Sequence, residues 1–532
     1  MHASVLPSRL AAWRRSPARF LVCRQCQRRL LHLSSIPSPA RDRHTRAVQS
    51  ISSAVRGFYD RNEPFRIAHG STNCTRPATN RKNAVDTSPL SNVLHVDAGS
   101  KTALVEPNVP MDRLVEATLA HNLIPPVVME FPGITVGGGY AGTSGESSSF
   151  KHGFFNRTIN AVEMVLADGE VVTASPTEHA DLFHGAAGAL GTLGVTTLVS
   201  LQLVPASRYV ETTYHPVSSV QQATDTVRSF TADNSYDYVD GILYSPTSGA
   251  IITGRLTQTT AGNPIQRFSD AKDPWFYLHV QESLSRARGA SVTEAIPLPE
   301  YLFRYDRGGF WVGRSAFEYF CFPFNALTRW WLDDFLHTRM LYKALHASGQ
   351  SRRYIVQDLA VPYDSVVEFV QYASRRFGIW PLWLCPLRQS PVPTMHPHHV
   401  SGGQQAEMLN VGLWGNCPPG VDSLQANREL EAKLRDLGAM KWLYAQTYYT
   451  EDEFWQLHDR KWYDALREKY RATRLPSVYD KVRYVEEADS ADEKSAEERL
   501  RAAWPVSGLY GIKKAIESGL YLDARKSAWK DL

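Results

Sequence analysis

The residue types best able to do chemistry are crowded into Phe131–Ser149, FPGITVGGGYAGTSGESSS, nineteen residues rich in glycine, serine and threonine. No hydrophobic core can be built from such a segment. It offers bare backbone N–H groups and hydroxyls, the donors that wrap a phosphate or the polar edge of a flavin. Lys151 follows directly and can neutralise pyrophosphate charge, or else face solvent. Within the stretch Gly137, Gly139 and Gly142 spell G-x-G-x-x-G, and Glu163 lies near the spacing of a ribose-binding acid. That pattern signals a nicotinamide-type dinucleotide site only between a strand and a helix. Here Pro125, Pro126 and Pro132 break the approach, and TSGESSSF is a poor helix former because its hydroxyls compete for their own backbone. The context argues against that site and leaves a flavin-binding loop or a plain flexible loop. Taken with its flanks, the segment points to a flavoenzyme.

The elements that must position this loop are legible on both sides. Residues 42–60 carry Val48, Ile51, Val55 and Phe58 at helical spacing. PFRIAHGSTNCTR reads as a short strand entering a Gly-Ser-Thr turn, and NVLHVDAGSKTALVEPNV as a hairpin. Met111–Asn122 read as a helix before the loop. After it, INAVEMVLADGEVVTAS is a hairpin turning at Asp168-Gly169, and GAAGALGTLGVTTLVSLQLVPA is a glycine-studded turn feeding a strand. This order predicts an α+β domain built around backbone contacts to a ligand. From about Tyr209 the composition turns aromatic, with a strand at GAIITGRLTQT and a helical stretch near Leu327–Ala347.

At 532 residues the chain is too long for one ordinary core, so two domains are expected. Its net charge of +4 hides an asymmetry. Residues 1–41 hold eight arginines and no Asp, Glu or Lys, so removing them from the total leaves 42–532 at −4. A slightly acidic body carries no nucleic-acid footprint. The arginine-rich, acid-free start has the marks of a mitochondrial presequence, with a disordered basic extension as the alternative. Residues 486–499, EEADSADEKSAEER, read as a solvated linker or helix, and no run approaches a membrane span. Cys23-x-x-Cys26 lacks a second pair, so no metal site is expected, and six cysteines in so long a chain indicate a reducing compartment.

RIAHGST, TVGGGYAGTSGES and LADGEVVTAS…DLFHGAAGALGTLGVTT arrive in the order used by the vanillyl-alcohol oxidase and para-cresol methylhydroxylase (PCMH) superfamily of flavoproteins. The wording is closer still to one branch, the sterol Δ24-reductases (24-dehydrocholesterol reductases), which the chain resembles over roughly 45–483. YIVQDLAVP, WPLWLCPL and KWLYAQTYYTEDEFWQLHD extend the likeness. The resemblance implies an α+β, two-domain PCMH-type FAD-binding fold: a basic extension over 1–44, a FAD-binding domain over 45–206, a mixed α/β substrate cap domain over 207–484, and an acidic linker with C-terminal extension over 485–532. It implies NADPH-driven reduction of the Δ24 side-chain double bond of a sterol or related triterpenoid. The alternatives are a FAD-linked oxidase or dehydrogenase of an alcohol, lactone or terpenoid, or a degenerate flavin-fold binding module. The family's usual location is the endoplasmic reticulum membrane, against the mitochondrial reading of the N-terminus.

Carried over onto this sequence, the flavin-binding stretch falls on Thr135, Val136, Gly137, Gly138, Gly139, Tyr140, Ala141, Gly142, Thr143, Ser144, Gly145, Glu146 and Ser147. His69, Gly70, Ser71 and Thr72 match the first pyrophosphate loop, and Gly191, Thr192, Gly194 and Val195 match the turn that meets the flavin ring. The resemblance implies that FAD is held noncovalently. Reducing an unpolarised C=C needs a general acid in a dry apolar pocket, and the aromatics after 275 supply either such walls or an ordinary core. Tyr444, Gln446 and Tyr448 would share one strand face, and Tyr444, Tyr448 or Glu453 is the expected acid. Cys321–Leu345, with Trp330, Trp331, Phe335 and Leu341 beside Arg329, Arg339 and Lys343, reads either as a peripheral membrane contact or as a core helix.

Overall fold

A computed structural model of the chain describes residues 31, 36–69, 83–349, 353–418, 420–485 and 504–531. Gly70, Ser71 and Thr72, the arginine-rich residues before 31 and the acidic run 486–499 lie outside the described residues.

The first half builds a short parallel pair, β1 (Arg66–Ala68) and β2 (Ala84–Asp86), beside an antiparallel sheet. That sheet holds β3 (Val93–Asp97), β4 (Thr102–Val105), β5 (Ile159–Leu166), β6 (Val171–Ala174) and β7 (Gly194–Gln202), in the order β3-β4-β7-β5-β6. Both expected hairpins form, each on its own turn chemistry. Asp97 Oδ1 accepts from the N–H groups of Gly99 at 2.9 Å and Ser100 at 3.1 Å. Gly169 sits at φ +87°, beyond the reach of most side chains, and Asp168 accepts from Glu170 N at 3.0 Å. The helix Ser38–Asp60 buries Val48, Ile51 and Val55 against this layer. His44 clips it down by hydrogen bonds to Glu106 (2.9 Å) and Glu163 (3.2 Å). Burial pulls the imidazole pKa down, but the two carboxylates outweigh it and raise it to about 9. Glu163 therefore serves a helix contact, not a ribose.

The second half forms one antiparallel sheet from β8 (Tyr209–Val217), β9 (Tyr238–Ser245), β10 (Ser248–Thr257), β11 (Val292–Pro297), β12 (Tyr354–Pro362), β13 (Leu382–Leu387), β14 (Met408–Asn416) and β15 (Met440–Lys441). Its order is β11-β8-β10-β9-β13-β14-β12-β15. The two-residue period of a strand sorts its faces. Ile355, Leu359, Leu384, Val411 and Leu413 pack into a cluster with Val227, Phe369 and Leu430 of the helices Val220–Ala232, Val366–Phe377 and Ser423–Asp436. Their neighbours Val356, Asp358, Trp383, Cys385, Asn410 and Trp414 line a cavity on the opposite face. The mixed α/β content agrees with the α+β expectation. The largest buried apolar cluster is continuous from Val48 to Trp529 and joins both sheets.

Two expectations are corrected here. The stretch near Leu327–Ala347 is not one helix but Ala326–Trp331, a 3₁₀ turn at Asp333–Phe335 and Thr338–Ala347. The break falls where the Asp306 carboxylate accepts from His337 Nδ1 at 2.5 Å and from Thr338 N at 3.1 Å, which fixes a new helix start. The segment Tyr444–Tyr448 is not a strand, because β15 stops at Lys441. Buried Glu431 gathers the chain instead, accepting from Lys441 Nζ at 2.9 Å and Tyr448 N at 2.9 Å.

Candidate active site

A cavity of about 1820 Å³ opens between the glycine-rich segment and the inner face of the second sheet. The segment is more ordered than its composition predicts. Thr135 accepts from Gly138 N at 3.1 Å and caps a short helix, Val136–Gly142, which Thr143 leaves at φ +51°. The glycines divide their work. A Cβ on Gly139 would stand 2.5 Å from Met129 Cε and 2.8 Å from Phe155 Cδ1, so Gly139 lets the helix pack. A Cβ on Gly137 would stand 2.7 Å from Pro107 Cβ. A Cβ on Gly142 would meet no protein atom within 4 Å, and Gly142 lines the cavity. Several N–H groups are spent inside the segment: Gly137 donates to Pro107 O, Gly139 to Thr135 O and Ser144 to Gly139 O. What the segment presents to a ligand is chiefly side-chain-free surface.

Thr135, Gly137, Gly138, Ala141, Gly142, Ser144 and Gly145 line the cavity, as do His69, Gly191, Gly194 and Val195. Of the other expected cofactor residues that are described, all but Lys151 are buried behind that wall. Val136, Gly139 and Tyr140 are buried, with Tyr140 O–H donating to Phe183 O at 2.9 Å. The Thr143 carbonyl accepts from Trp442 Nε1 at 3.0 Å, and Glu146 and Ser147 are buried. Thr192 accepts from Tyr463 O–H at 2.8 Å. Lys151 is removed from the cavity lining by its ion pair with Asp237 at 2.8 Å. The positive charge in the lining comes instead from Arg66 of β1, Lys481 and Arg483, among others. Lys481 donates to Leu190 O at 2.7 Å, and Ile67 abuts Gly191, so these cations stand beside the glycine turn.

The facing wall is aromatic. Phe310 lies 4.4 Å from Trp414 and 5.3 Å from Trp383, ring centre to ring centre, and Trp442 and Tyr444 complete the belt. Four of the described carboxyl-bearing residues line the cavity, Asp86, Glu130, Asp358 and Asp480, of which Asp358 comes from the sheet that carries Trp383 and Trp414. Asp358 accepts from Tyr444 O–H at 2.8 Å and Asn410 Nδ2 at 2.9 Å, and burial raises its pKa to about 6. Burial, with the Glu146 carboxylate beside it, holds Glu130 well above the usual range. Behind Glu146, Arg304 donates to Asp240 Oδ2 at 2.9 Å and lies 3.7 Å from Glu146 Oε1.

Of the expected acids, Tyr444 and its neighbour Gln446 reach the cavity, although the Tyr444 proton is given to Asp358. Tyr448 does not, because its ring stacks on Tyr484 with centres 5.1 Å apart. Glu453 does not either. It closes the capping box of helix Glu451–Leu457 and pairs with Arg435 at 2.9 Å, and the Thr450 N–H it accepts holds its pKa low, the wrong direction for an acid. Sequence reasoning passed over Glu130, Asp240, Arg304 and Asp358. Each is a single charge inside an apolar run (VVMEF, YVDGIL, YLFRY, IVQDLAV), a placement that signals burial with a partner.

Residues 43–175 match the family model described as FAD binding domain. The Delta(24)-sterol reductases of Macaca fascicularis and Homo sapiens are each 30% identical to the chain over 406 residues, covering 74% of it and 76% of the relative. That of Pisum sativum is 30% identical over 458 residues, covering 79% of the chain and 80% of the relative.

Proposed function

The chain belongs to the Δ24-sterol reductase family of FAD-binding proteins, and we propose that it reduces the Δ24 side-chain double bond of a sterol or related triterpenoid, with NADPH as electron donor. The observation that carries this reading is one cavity with a glycine-faced, cation-edged wall on one side and an aromatic, carboxyl-bearing wall on the other. We divide the labour accordingly: residues 45–206 hold the cofactor and 207–484 the substrate, in the two-domain PCMH manner.

The residues present fit FAD, held noncovalently. Gly142 leaves room that any side chain would fill, Gly191 and Gly194 line the cavity from a second turn, and Arg66 and Lys481 balance pyrophosphate charge. Bound FAD, once reduced, supplies a hydride equivalent. The chain's own residues do the rest. Phe310, Trp383, Trp414 and Trp442 exclude water and offer ring faces to a carbon that gains cationic character. Asn410 and Tyr444 fix Asp358 as a carboxylate in that wall, where its charge also favours a cation.

Anaerobic mixing with NADPH and then with a sterol bearing a 24,25 double bond tests the reading. The flavin absorbance is expected to bleach with NADPH and return with the sterol. Return only on admitting oxygen, with no change on sterol addition, overturns it in favour of an oxidase.

A water-insoluble substrate must also reach the cavity. Among the described residues no helix is long and apolar enough to cross a membrane. Phe322 and Leu509 line the cavity and are also exposed, which marks its mouth. Trp330 (53% exposed), Trp331 (67%) and Trp504 (63%) are also exposed on the segments that carry Phe322 and Leu509. These features support peripheral docking on a bilayer through this rim. Wild type is expected to float with liposomes and Trp330→Ser/Trp331→Ser to stay behind with its FAD still bound; equal flotation removes the rim from the account. The basic residues 1–41 support a mitochondrial location, with the endoplasmic reticulum as the alternative implied by family resemblance.

A further inference from the structure

Glu130 and Glu146 form a carboxyl pair at the edge of the cavity. Glu130 precedes the glycine wall and lines the cavity, while Glu146 lies buried behind it. The two buried side chains stand close enough to repel each other as carboxylates, and holding one proton between them relieves that repulsion. The surroundings decide which. Burial raises the Glu146 pKa as well, but its Oε1 accepts from Ser147 O–H at 2.9 Å and lies 3.7 Å from the Arg304 guanidinium, so of the two the negative charge belongs on Glu146. Its buried Oε2 has no other donor, and a protonated Glu130 supplies one.

The geometry points to Glu130 as the general acid that delivers a proton to the substrate double bond, with Glu146 the positioning residue that keeps Glu130 protonated; this rests on the reductase reading above. The groups that face Glu130 are Glu146 from the glycine segment, Asp358 from β12 and the Cys385 thiol from β13, with Asp240 of β9 and Arg304 behind Glu146. Of these carboxyl groups, Glu146 and Asp240 are the two placed against the Arg304 guanidinium. Retaining one proton relieves the like-charge repulsion, and it stays on Glu130 because Arg304 stabilises the charge on Glu146. Asp358, whose pKa burial raises to about 6, is the weaker candidate because Asn410 and Tyr444 both donate to its carboxylate.

In the step, the Glu130 O–H bond breaks and its proton forms one new C–H bond. The hydride equivalent supplied with reduced FAD forms the other. The C=C π bond is lost, the alkene gains two electrons, and Glu130 is left as a carboxylate that regains its proton from water. The anionic cluster favours cationic character in the alkene at that moment.

Three measurements test this. In the flavin-free protein, the infrared carbonyl band of a protonated carboxyl at neutral pH is expected in wild type and absent in Glu130→Gln; an unchanged band places the proton elsewhere and overturns the assignment. In the holoenzyme, Glu130→Gln is expected to bind FAD and accept electrons from NADPH normally, while sterol-driven reoxidation slows about 100-fold or more; reoxidation at the wild-type rate overturns it. Burial raises the Glu130 pKa and the Glu146 charge raises it further; Glu146→Gln removes the second contribution, so Glu130 loses its proton sooner. The alkaline fall in reoxidation rate is expected to move to lower pH by about one unit or more, and an unmoved profile overturns the role of Glu146. A wild-type enzyme that NADPH reduces but the sterol never reoxidises overturns the reductase reading itself, and the acid with it.

Discussion

Gly142→Val is expected to yield a folded, colourless protein. The position separates cofactor binding from folding, because a Cβ there meets no protein atom within 4 Å and the backbone is ordinary right-handed helix. Valine is a better helix former than glycine, so the apoprotein has no reason to lose stability. Its branched side chain projects into the cavity where FAD must approach the backbone. At least about 100-fold weaker binding is expected, close to 2.7 kcal/mol. The contrast is Gly139→Val, where a Cβ only 2.5 Å from Met129 Cε disrupts packing and lowers the melting temperature as well. Gly138 is a less clean site, since a Cβ there crowds the capping Thr135 Oγ1 at 3.1 Å. Flavin-to-protein ratio after gel filtration, with a thermal melt of the apoprotein, reads both quantities. Wild-type flavin content in Gly142→Val moves the cofactor off this wall.

The sequence made legible what depends on short-range patterns. Val48, Ile51 and Val55 at helical spacing and Asp168-Gly169 between Val-rich runs carry their structure in a dozen residues, and both elements formed there. The glycine segment was recognisable as cofactor surface but not as a helix. Its helix depends on one threonine cap and on the tight packing of Gly139 against Met129 and Phe155, which no local propensity records. Of the expected acids Tyr444 lines the cavity, while Tyr448 and Glu453 stand away from it for the same kind of reason. Alternation over Tyr444–Tyr448 presumed a strand, and Glu431, on the helix before it, gathers that backbone into a turn. Lys151 had the right charge beside the right loop, yet Asp237, contributed by the second half of the chain, takes it. Contacts that no local propensity records decide these cases, from the packing of Gly139 on Met129 to the pairing of Lys151 with Asp237, and a single sequence gives no sign of them.

Arg304→Met is expected to be the most destabilising single change near the site, at about 3–5 kcal/mol. The guanidinium is 1% exposed. It donates to Asp240 at 2.9 Å and to Tyr301 O at 2.9 Å, and lies 4.1 Å from the Tyr301 ring centre and 4.7 Å from that of Tyr305. Methionine fills much of the volume, so the loss is chiefly electrostatic. Asp240 keeps Tyr305 O–H at 2.8 Å and Trp383 Nε1 at 3.1 Å, but neither neutralises it, and Glu146 loses its nearest cation. Two consequences separate this account from lost packing. Adding Asp240→Asn to Arg304→Met should restore part of the stability, because it removes the charge left unpaired. The deficit should also widen as pH rises from 5 to 8. Burial already raises the Glu146 pKa and the guanidinium opposes that rise, so without Arg304 it climbs further above its unfolded value, and the folded variant holds a proton that it must give up with increasing pH. Denaturant unfolding followed by tryptophan fluorescence at both pH values measures the difference. A deficit below about 1 kcal/mol, or one that does not change with pH, means that Arg304 is held there by its ring contacts and not by the carboxylates it faces.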